Sequence, residues 1–308
     1  MQHSIRGTQA TSDSSYKSFN MSPSTIRFLV LSDTHHTGFP DPATLPKADV
    51  ILHCGDLTMR GGLSEYKPTV ERLSACNAEL KLVIPRNHDL TLDHHWWMRH
   101  CQEEDADPDE HNKARAMFDF KTTGIRLLDE RNYTFTLRDG RSFKMYASPY
   151  TPYFCDWAFA YGSQEDRFGP DAVNPIPKGV DVVVTHGPPR VPHDDYFLDQ
   201  IQEGKFVGCS TLWTAIRRTR PRLHCFGHVH EGYGAKTVTW RSKEKAVSWA
   251  TEAKPPFDLS NATKEESGAL VAGSEGETLL VNAAIMDNQY DARNQALIVD
   301  LESSRASL

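Results

Sequence analysis

Phe28-Leu29-Val30-Leu31-Ser32-Asp33-Thr34-His35 is an apolar run that stops at a carboxylate and an imidazole two positions apart. On extended backbone, side chains at i and i+2 point to one side, so Asp33 and His35 can grip one metal ion from the end of a buried strand. Alone the pair is weak evidence, because Asp-x-His arises by chance in many chains. Its weight depends on what the other strand ends carry.

Upstream, Ile26 to Leu31 is apolar and partly β-branched with Arg27 as its sole interruption, the pattern of a central strand covered on both faces. Downstream, Asp49-Val50-Ile51-Leu52-His53-Cys54-Gly55-Asp56 reads as a second strand that again ends in a carboxylate. Tyr66, Val70 and Leu73 recur at helical spacing and predict a helix over roughly Ser64 to Cys76. Leu80 to Ile84 is a third strand, ending in Pro85-Arg86-Asn87-His88-Asp89. Strand, helix, strand in that rhythm implies a right-handed crossover and a mainly parallel sheet.

Leu92 to Glu110 mixes His94, His95, Trp96 and Trp97 with the acidic run Glu103 to Asp107 and reads as a helical or irregular excursion. Asp139-Gly140, between Asn132 to Leu137 and Ser142 to Ala147, is a hairpin signal. Ser148 to Trp157, rich in aromatics and proline, suits a rim loop. Val180 to Val184 is another buried strand, followed at once by Thr185-His186-Gly187. Ser210 is placed to cap a helix through about Arg218, and Leu223 to Phe226 leads into Gly227-His228-Val229-His230. Residues 241–277 show little periodicity and read as a surface insertion, with closing strands at Leu279 to Ile285 and Ala296 to Leu301. One domain is expected over 25–302, with a flexible N-terminal tail at 1–24 and a C-terminal tail at 303–308.

A formal net charge of -7 without a clustered basic patch argues against a stable nucleic-acid or anionic-membrane partner. Arg217, Arg218, Arg220 and Arg222 come closest, but two of them flank a helix end where cations are expected for stability alone. Six scattered cysteines without a C-x-x-C read as thiols of a cytoplasmic protein. The first 24 residues lack the apolar core of a secretory leader, and no run reaches membrane-span length.

Five strand ends therefore carry the same kind of payload: Asp33-x-His35, Gly55-Asp56, Asn87-His88-Asp89, His186 and His228-x-His230. In an open parallel sheet the carboxyl ends of the strands line one crevice, where residues distant in sequence converge. Singly, each histidine is more simply a hydrogen-bonded structural residue. Together they indicate a metal centre.

In these blocks, in their order and spacing, the chain resembles the calcineurin-like metallophosphoesterases. Within that family it is most similar to the small metallophosphoesterase-domain proteins, through Ser148-Pro149-Tyr150 with Asp156-Trp157, His230-Glu231-Gly232-Tyr233-Gly234 and Val281-Asn282-Ala283-Ala284. The resemblance implies a four-layer α/β/β/α sandwich of two mixed β-sheets flanked by helices. It implies that Asp33, His35 and His230 bind one divalent ion, that Asn87, His186 and His228 bind a second, and that Asp56 bridges them. A carboxylate has two oxygens and can span ions roughly 3.5 to 4 Å apart, as two-metal phosphoesterases require. His88 would protonate the leaving alkoxide, with Asp89 orienting or charging its imidazole. Imidazole and oxygen ligands without thiolate point to manganese, iron or zinc.

Where the family has glycine before Asn-His, this chain has Arg86. Three consequences are open: strain if the position is left-handed, an inward guanidinium that repels cations or binds the substrate phosphate, or an Arg86 turned to solvent. The expected activity is phosphohydrolysis of a small phosphorylated substrate, more readily a diester such as a cyclic nucleotide, with Tyr150 and Trp157 available to stack a flat group. The alternatives are a phosphate-ligand binding or regulatory protein impaired through Arg86, and an iron centre performing non-hydrolytic chemistry on a small metabolite.

Overall fold

The computed structural model describes residues 24–101, 107–162, 164–193, 195–240, 247–253 and 269–303. Nearly all of the two expected tails and most of the acidic run at 103–107 lie outside the described residues. In chain order the strands are β1 (Ser24–Leu31), β2 (Val50–His53), β3 (Leu80–Val83), β4 (Ile125–Leu127), β5 (Arg131–Thr136), β6 (Ser142–Ser148), β7 (Thr151–Pro152), β8 (Ala160–Tyr161) and β9 (Val182–Thr185). They continue as β10 (Leu223–Phe226), β11 (Gly234–Trp240), β12 (Val247–Ala253), β13 (Leu270–Val271), β14 (Glu277–Asn282) and β15 (Leu297–Ser303). The helices are α1 (Leu63–Ala75), α2 (His94–His100), α3 (Glu110–Ala116), α4 (Phe120–Thr123) and α5 (Ser210–Thr219).

Two mixed sheets form, with strand orders β13-β15-β1-β2-β3-β4 and β12-β11-β14-β10-β9-β6-β5. The alternation along β1 explains their stacking. Ile26, Phe28 and Val30 point into a core shared with Phe143, Met145, Val182, Cys225 and Val281 of the other sheet. Leu29 and Leu31 point the opposite way, onto Tyr66, Val70 and Leu73 of α1. On the far side, Val183, Phe226 and Leu280 pack against Leu212, Trp213 and Ile216 of α5. The result is the four-layer α/β/β/α sandwich.

Each sheet has a parallel centre, β1-β2-β3-β4 in one and β6-β9-β10-β14 in the other. The carboxyl ends therefore meet at one edge of the sandwich, but they come from two sheets rather than from one open sheet. Just past β1 the two sheets are joined: Ser32 donates its N–H to the Ala283 carbonyl at 2.9 Å and accepts from Ile285 at 2.9 Å.

Two local readings change, and a third is made specific. The α5 cap is Cys209, whose Sγ accepts from Leu212 N, and Ser210 is the first helical residue. The Leu92 to Glu110 excursion is helical where it holds α2, capped by the Asp93 carboxylate on the N–H groups of His95 and Trp96. The stretch read as aperiodic over 241–277 contains β12, paired antiparallel with β11, and β13, paired parallel with β15. An edge strand that pairs along one side only needs little apolar alternation, so periodicity did not mark it.

Candidate metal centre

The ligand turns are bought with backbone strain. Asp33, His35, Asp56 and His228 all hold positive φ, at 54°, 41°, 53° and 70°. Non-glycine residues in this region cost roughly 1 to 2 kcal/mol each, and such outliers cluster where function dictates geometry. Gly227 permits the close approach: a Cβ there would lie 2.1 Å from Asp33 Oδ2. The Asp33 carboxylate then accepts the His228 N–H at 3.1 and 3.0 Å, stitching the ends of β1 and β10 together across the two sheets.

Two groups of ligand atoms result, Asp33 with His35 and His230, and Asp56 with His186 and His228. Within each group the atoms lie within 4.8 Å of one another. His186 Nε2 is 3.1 Å from Asp56 Oδ2 and 3.7 Å from Asp33 Oδ1, so the two groups adjoin.

The histidine tautomers follow from their partners. His35 Nδ1 bonds the Thr58 carbonyl at 3.0 Å, His186 Nδ1 the Cys54 carbonyl at 2.8 Å, and His230 Nδ1 the Asp287 carbonyl at 2.8 Å. A carbonyl only accepts, so each Nδ1 carries the proton, and the Nε2 atoms of His35 and His186 turn a lone pair toward the carboxylates. His35 Nε2 and His186 Nε2 are buried and make no hydrogen bond. Lone pairs facing carboxylates repel unless a cation lies between them, and backbone carbonyls behind the far nitrogen are the usual support of metal-ligating imidazoles.

The ionisation of the groups fits a cation-binding site. Burial holds His35 below its ordinary value and takes His228 down to about 3, which disfavours imidazolium. Burial opposes the charge on His230 as well, but the Asp33 carboxylate, 3.4 Å from Nε2, outweighs it and raises His230 to about 9. Burial alone would raise Asp33 and Asp56; the surrounding histidines hold both well below the usual carboxylate range. Mixed imidazole and carboxylate donors, buried and pre-oriented, fit divalent transition ions.

Asn87 and His88 stand beside these groups. Asp56 Oδ1 accepts the His88 N–H at 3.1 Å, and His88 Nδ1 is fixed by the Met59 carbonyl at 2.7 Å. The His88 ring packs on Trp157, 4.2 Å between centroids, and edge-on to His35 at 4.8 Å. Asp89 does not orient this imidazole. Its carboxylate accepts from Leu57 N, Thr58 N, Thr58 Oγ1 and Arg86 N at 2.8 to 3.3 Å, tying the end of β3 to the turn after β2. Burial and the Asp56 charge push that carboxyl up to about 8, against donors that favour the anion.

Arg86 is fully buried, which excludes the solvent-facing reading, and it is absent from the positive-φ residues, which removes the left-handed strain. Its stem lies over Gly55, where a Cβ would come within 1.9 Å of Arg86 Cγ. Its guanidinium donates to the Pro149 carbonyl, to Thr151 Oγ1 at 3.0 Å and to Asn87 Oδ1 at 2.9 Å. Burial lowers its pKa to about 10, still charged at neutral pH. It links the third block to the aromatic loop from behind the site.

Tyr150 and Trp157 line a cavity of about 570 Å³ whose floor is Asp56, Asn87, His88, His228 and His230. Tyr290, a residue no strand end announced, also lines it. It holds φ 61° and stands edge-on to His35 and His230, at 5.0 and 5.1 Å.

Residues 26–232 match the family model described as calcineurin-like phosphoesterase. The chain belongs to that family. It is a metal-dependent phosphoesterase, and the two ligand groups are where its divalent ions would be held. Human metallophosphoesterase domain-containing protein 1 is 30% identical, the match covering 92% of this chain and 74% of that protein. The Caenorhabditis elegans UPF0046 protein T07D4.2 is 33% identical over 70% of this chain and 54% of its own length. Among solved structures, a purple acid phosphatase from yellow lupin seeds overlays 93% of this phosphoesterase and 46% of its own chain, at 12% identity and a TM-score of 0.39. No helix among the described residues is long and apolar enough to cross a membrane.

Proposed function

We propose that this phosphoesterase is a dinuclear phosphodiesterase of small diesters, cyclic nucleotides among them. The observation that carries the reading is the pair of adjoining ligand groups, each with one buried histidine, His35 and His186, whose Nε2 makes no hydrogen bond beside Asp33 and Asp56. Asp33, His35 and His230 hold one ion, Asn87, His186 and His228 the other, and Asp56 is shared. Manganese, iron and zinc suit these donors. When bound, two such ions supply Lewis acidity toward phosphoryl oxygens and lower the pKa of a coordinated water.

The protein's own contribution is positioning and proton transfer. His88, fixed through Nδ1 and packed on Trp157, offers Nε2 as the acid that protonates the departing oxygen. Met59 orients the ring, and Asp89 sets the turn that carries it. The unit doing this is taken to run over 25–302, and the six cysteines, none paired, support a cytoplasmic setting.

Metal content and turnover of a chromogenic diester test the reading in the manganese, iron and zinc forms. Two ions per chain and loss of chromogenic turnover in Asp56→Asn are expected, with His88→Ala losing turnover of a diester whose leaving group is an alkoxide. Full activity in both variants overturns the assignment. One observation favours a second reading, a phosphate-ligand binder with impaired turnover: the oxygen that Asn87 would give an ion is shared with Arg86.

A further inference from the structure

The walls above the metal groups are of a different chemistry from the floor. On one side they are Tyr150, Tyr153, Phe154 and Trp157, and on the other Ile201, Val207 and Leu212, closed by Tyr290. Among the described residues, no lysine or arginine lines the cavity. Its carboxylate and amide side chains, Asp56 and Asn87, belong to the metal floor.

The cations that touch the wall are engaged elsewhere: Arg86 donates to Thr151 Oγ1 at 3.0 Å and to the Pro149 carbonyl. Arg167 lies 3.5 Å from the Tyr150 ring centroid and holds Glu130 through two bonds of 2.8 Å. It stiffens the wall from behind and offers no charge to a ligand.

The rim is as apolar as the walls. Among the described residues, eight large hydrophobic side chains are exposed, and four of them, Tyr153, Phe154, Val207 and Tyr290, line this cavity. Phe154 and Val207 are 54% and 47% exposed. Exposed apolar side chains gathered at the mouth of a cavity mark a binding surface, whereas scattered ones are ordinary.

The apolar wall also begins at the chemistry. Trp157 contacts His88, and the Phe154 ring stands edge-on to His228 at 6.2 Å. A phosphoryl group at the floor would have its organic arm among these rings.

From this we propose that the substrate is a phosphodiester with an uncharged, apolar arm of alkyl or aryl character, held by Phe154, Trp157, Ile201, Val207 and Leu212. The proposal rests on the phosphodiesterase reading above and narrows it. A nucleoside arm would find no amide or carboxylate among the described wall residues to read its base edge, only the hydroxyls of Thr151 and the tyrosines. An arm with a second phosphate would leave a charge against apolar side chains, which is unfavourable without a partner.

The test is a series of p-nitrophenyl phosphodiesters whose second arm runs from methyl through butyl and hexyl to octyl. Thymidine and a carboxyalkyl chain serve as polar and charged comparators. In the reaction, water attacks phosphorus and the P–O bond to the p-nitrophenyl group breaks. The products are the alkyl phosphate and p-nitrophenolate, with the water's protons released to product and solvent. The leaving group is constant, so the gradient reports the arm alone. kcat/KM is expected to rise by about four-fold per methylene until the cavity fills, the ratio set by burial of a CH2 group. Phe154→Ala and Val207→Ser are expected to flatten that gradient. In parallel, alkyl phosphate monoesters from methyl to octyl are titrated as ligands by calorimetry. A matching gradient in binding without turnover of any diester would retain the apolar arm and overturn hydrolysis. Turnover with a flat series, or with preference for thymidine or the charged chain, would overturn the apolar arm and retain hydrolysis.

Discussion

Replacing Arg86 with methionine keeps the stem that lies over Gly55 and removes the charge that Asn87 faces. The guanidinium is 2.9 Å from Asn87 Oδ1. An ion on that oxygen would sit about 2.1 Å beyond it, so charge and ion would be at most about 5 Å apart. A unit charge and a doubly charged ion at that separation repel by about 2 kcal/mol at the dielectric of water and about 7 kcal/mol at an effective value of 20. Asp33 and Asp56 offset part of this, so the lower figure is adopted. Arg86→Met is then expected to tighten the second ion by about 30-fold.

The cost falls on stability. Pro149 O and Thr151 Oγ1 lose a buried donor, worth roughly 1 to 3 kcal/mol each if left unsatisfied, offset by relief of a desolvated cation. A net loss of about 2 kcal/mol is expected by thermal unfolding of the metal-free protein. Two-site calorimetry with manganese or zinc reads the metal affinities. A second-ion affinity that is unchanged or weaker, in a variant with native circular dichroism, refutes the repulsion argument. It would mean that Arg86 chiefly aims Asn87 at the ion.

Three further outcomes follow from the geometry. His88→Ala should slow a methyl or alkyl leaving group by about 10²- to 10⁴-fold and p-nitrophenolate far less, because a good leaving group needs no proton; equal losses for both would remove His88 as the acid. In the metal-free protein the raised His230 pKa, about 9, contributes stability that is full below about pH 6.5 and is lost as pH rises through 9. Ion binding must displace that proton, so affinity for the ion of Asp33 and His35 should rise about tenfold per pH unit between 7 and 9, read by calorimetry in buffers of different ionisation enthalpy. Gly55→Ala, with φ 102° and a Cβ 1.9 Å from Arg86 Cγ, should destabilise the protein by about 3 kcal/mol, and by clearly less in an Arg86→Gly background; additive losses in that double-mutant cycle would show that the two side chains do not compete for space.

What the chain announced and what it concealed divide along a physical line. Asp33, Asp56, Asn87, His186 and His228 stood out as candidates because short, largely apolar runs end abruptly where polar residues begin. The two-sheet stacking was not legible from the same runs. Ile26, Phe28 and Val30 face the second sheet, Leu29 and Leu31 face a helix, and both sets are equally apolar. Nor does pairing between β1 and β15, fixed in part by Arg27 and Asp300, leave a local trace across 273 residues. The carbonyls of Met59, Thr58, Cys54 and Asp287 decide four histidine tautomers, yet a backbone acceptor is the same whatever residue carries it.

Arg86 shows the limit most sharply. Its residue type argues for solvent, but a charge can be buried where acceptors surround it and opposite charges lie near, and Gly55, Pro149 and Thr151 supply the room and the acceptors. That environment exists only after β2, β3 and the aromatic loop have converged. The same convergence gives the residue its consequence, since the guanidinium that braces the aromatic loop also shares the oxygen of Asn87. The wall that would select the substrate and the side chain proposed to hold the second ion are therefore held by one buried cation, and a change at either end must be felt at the other.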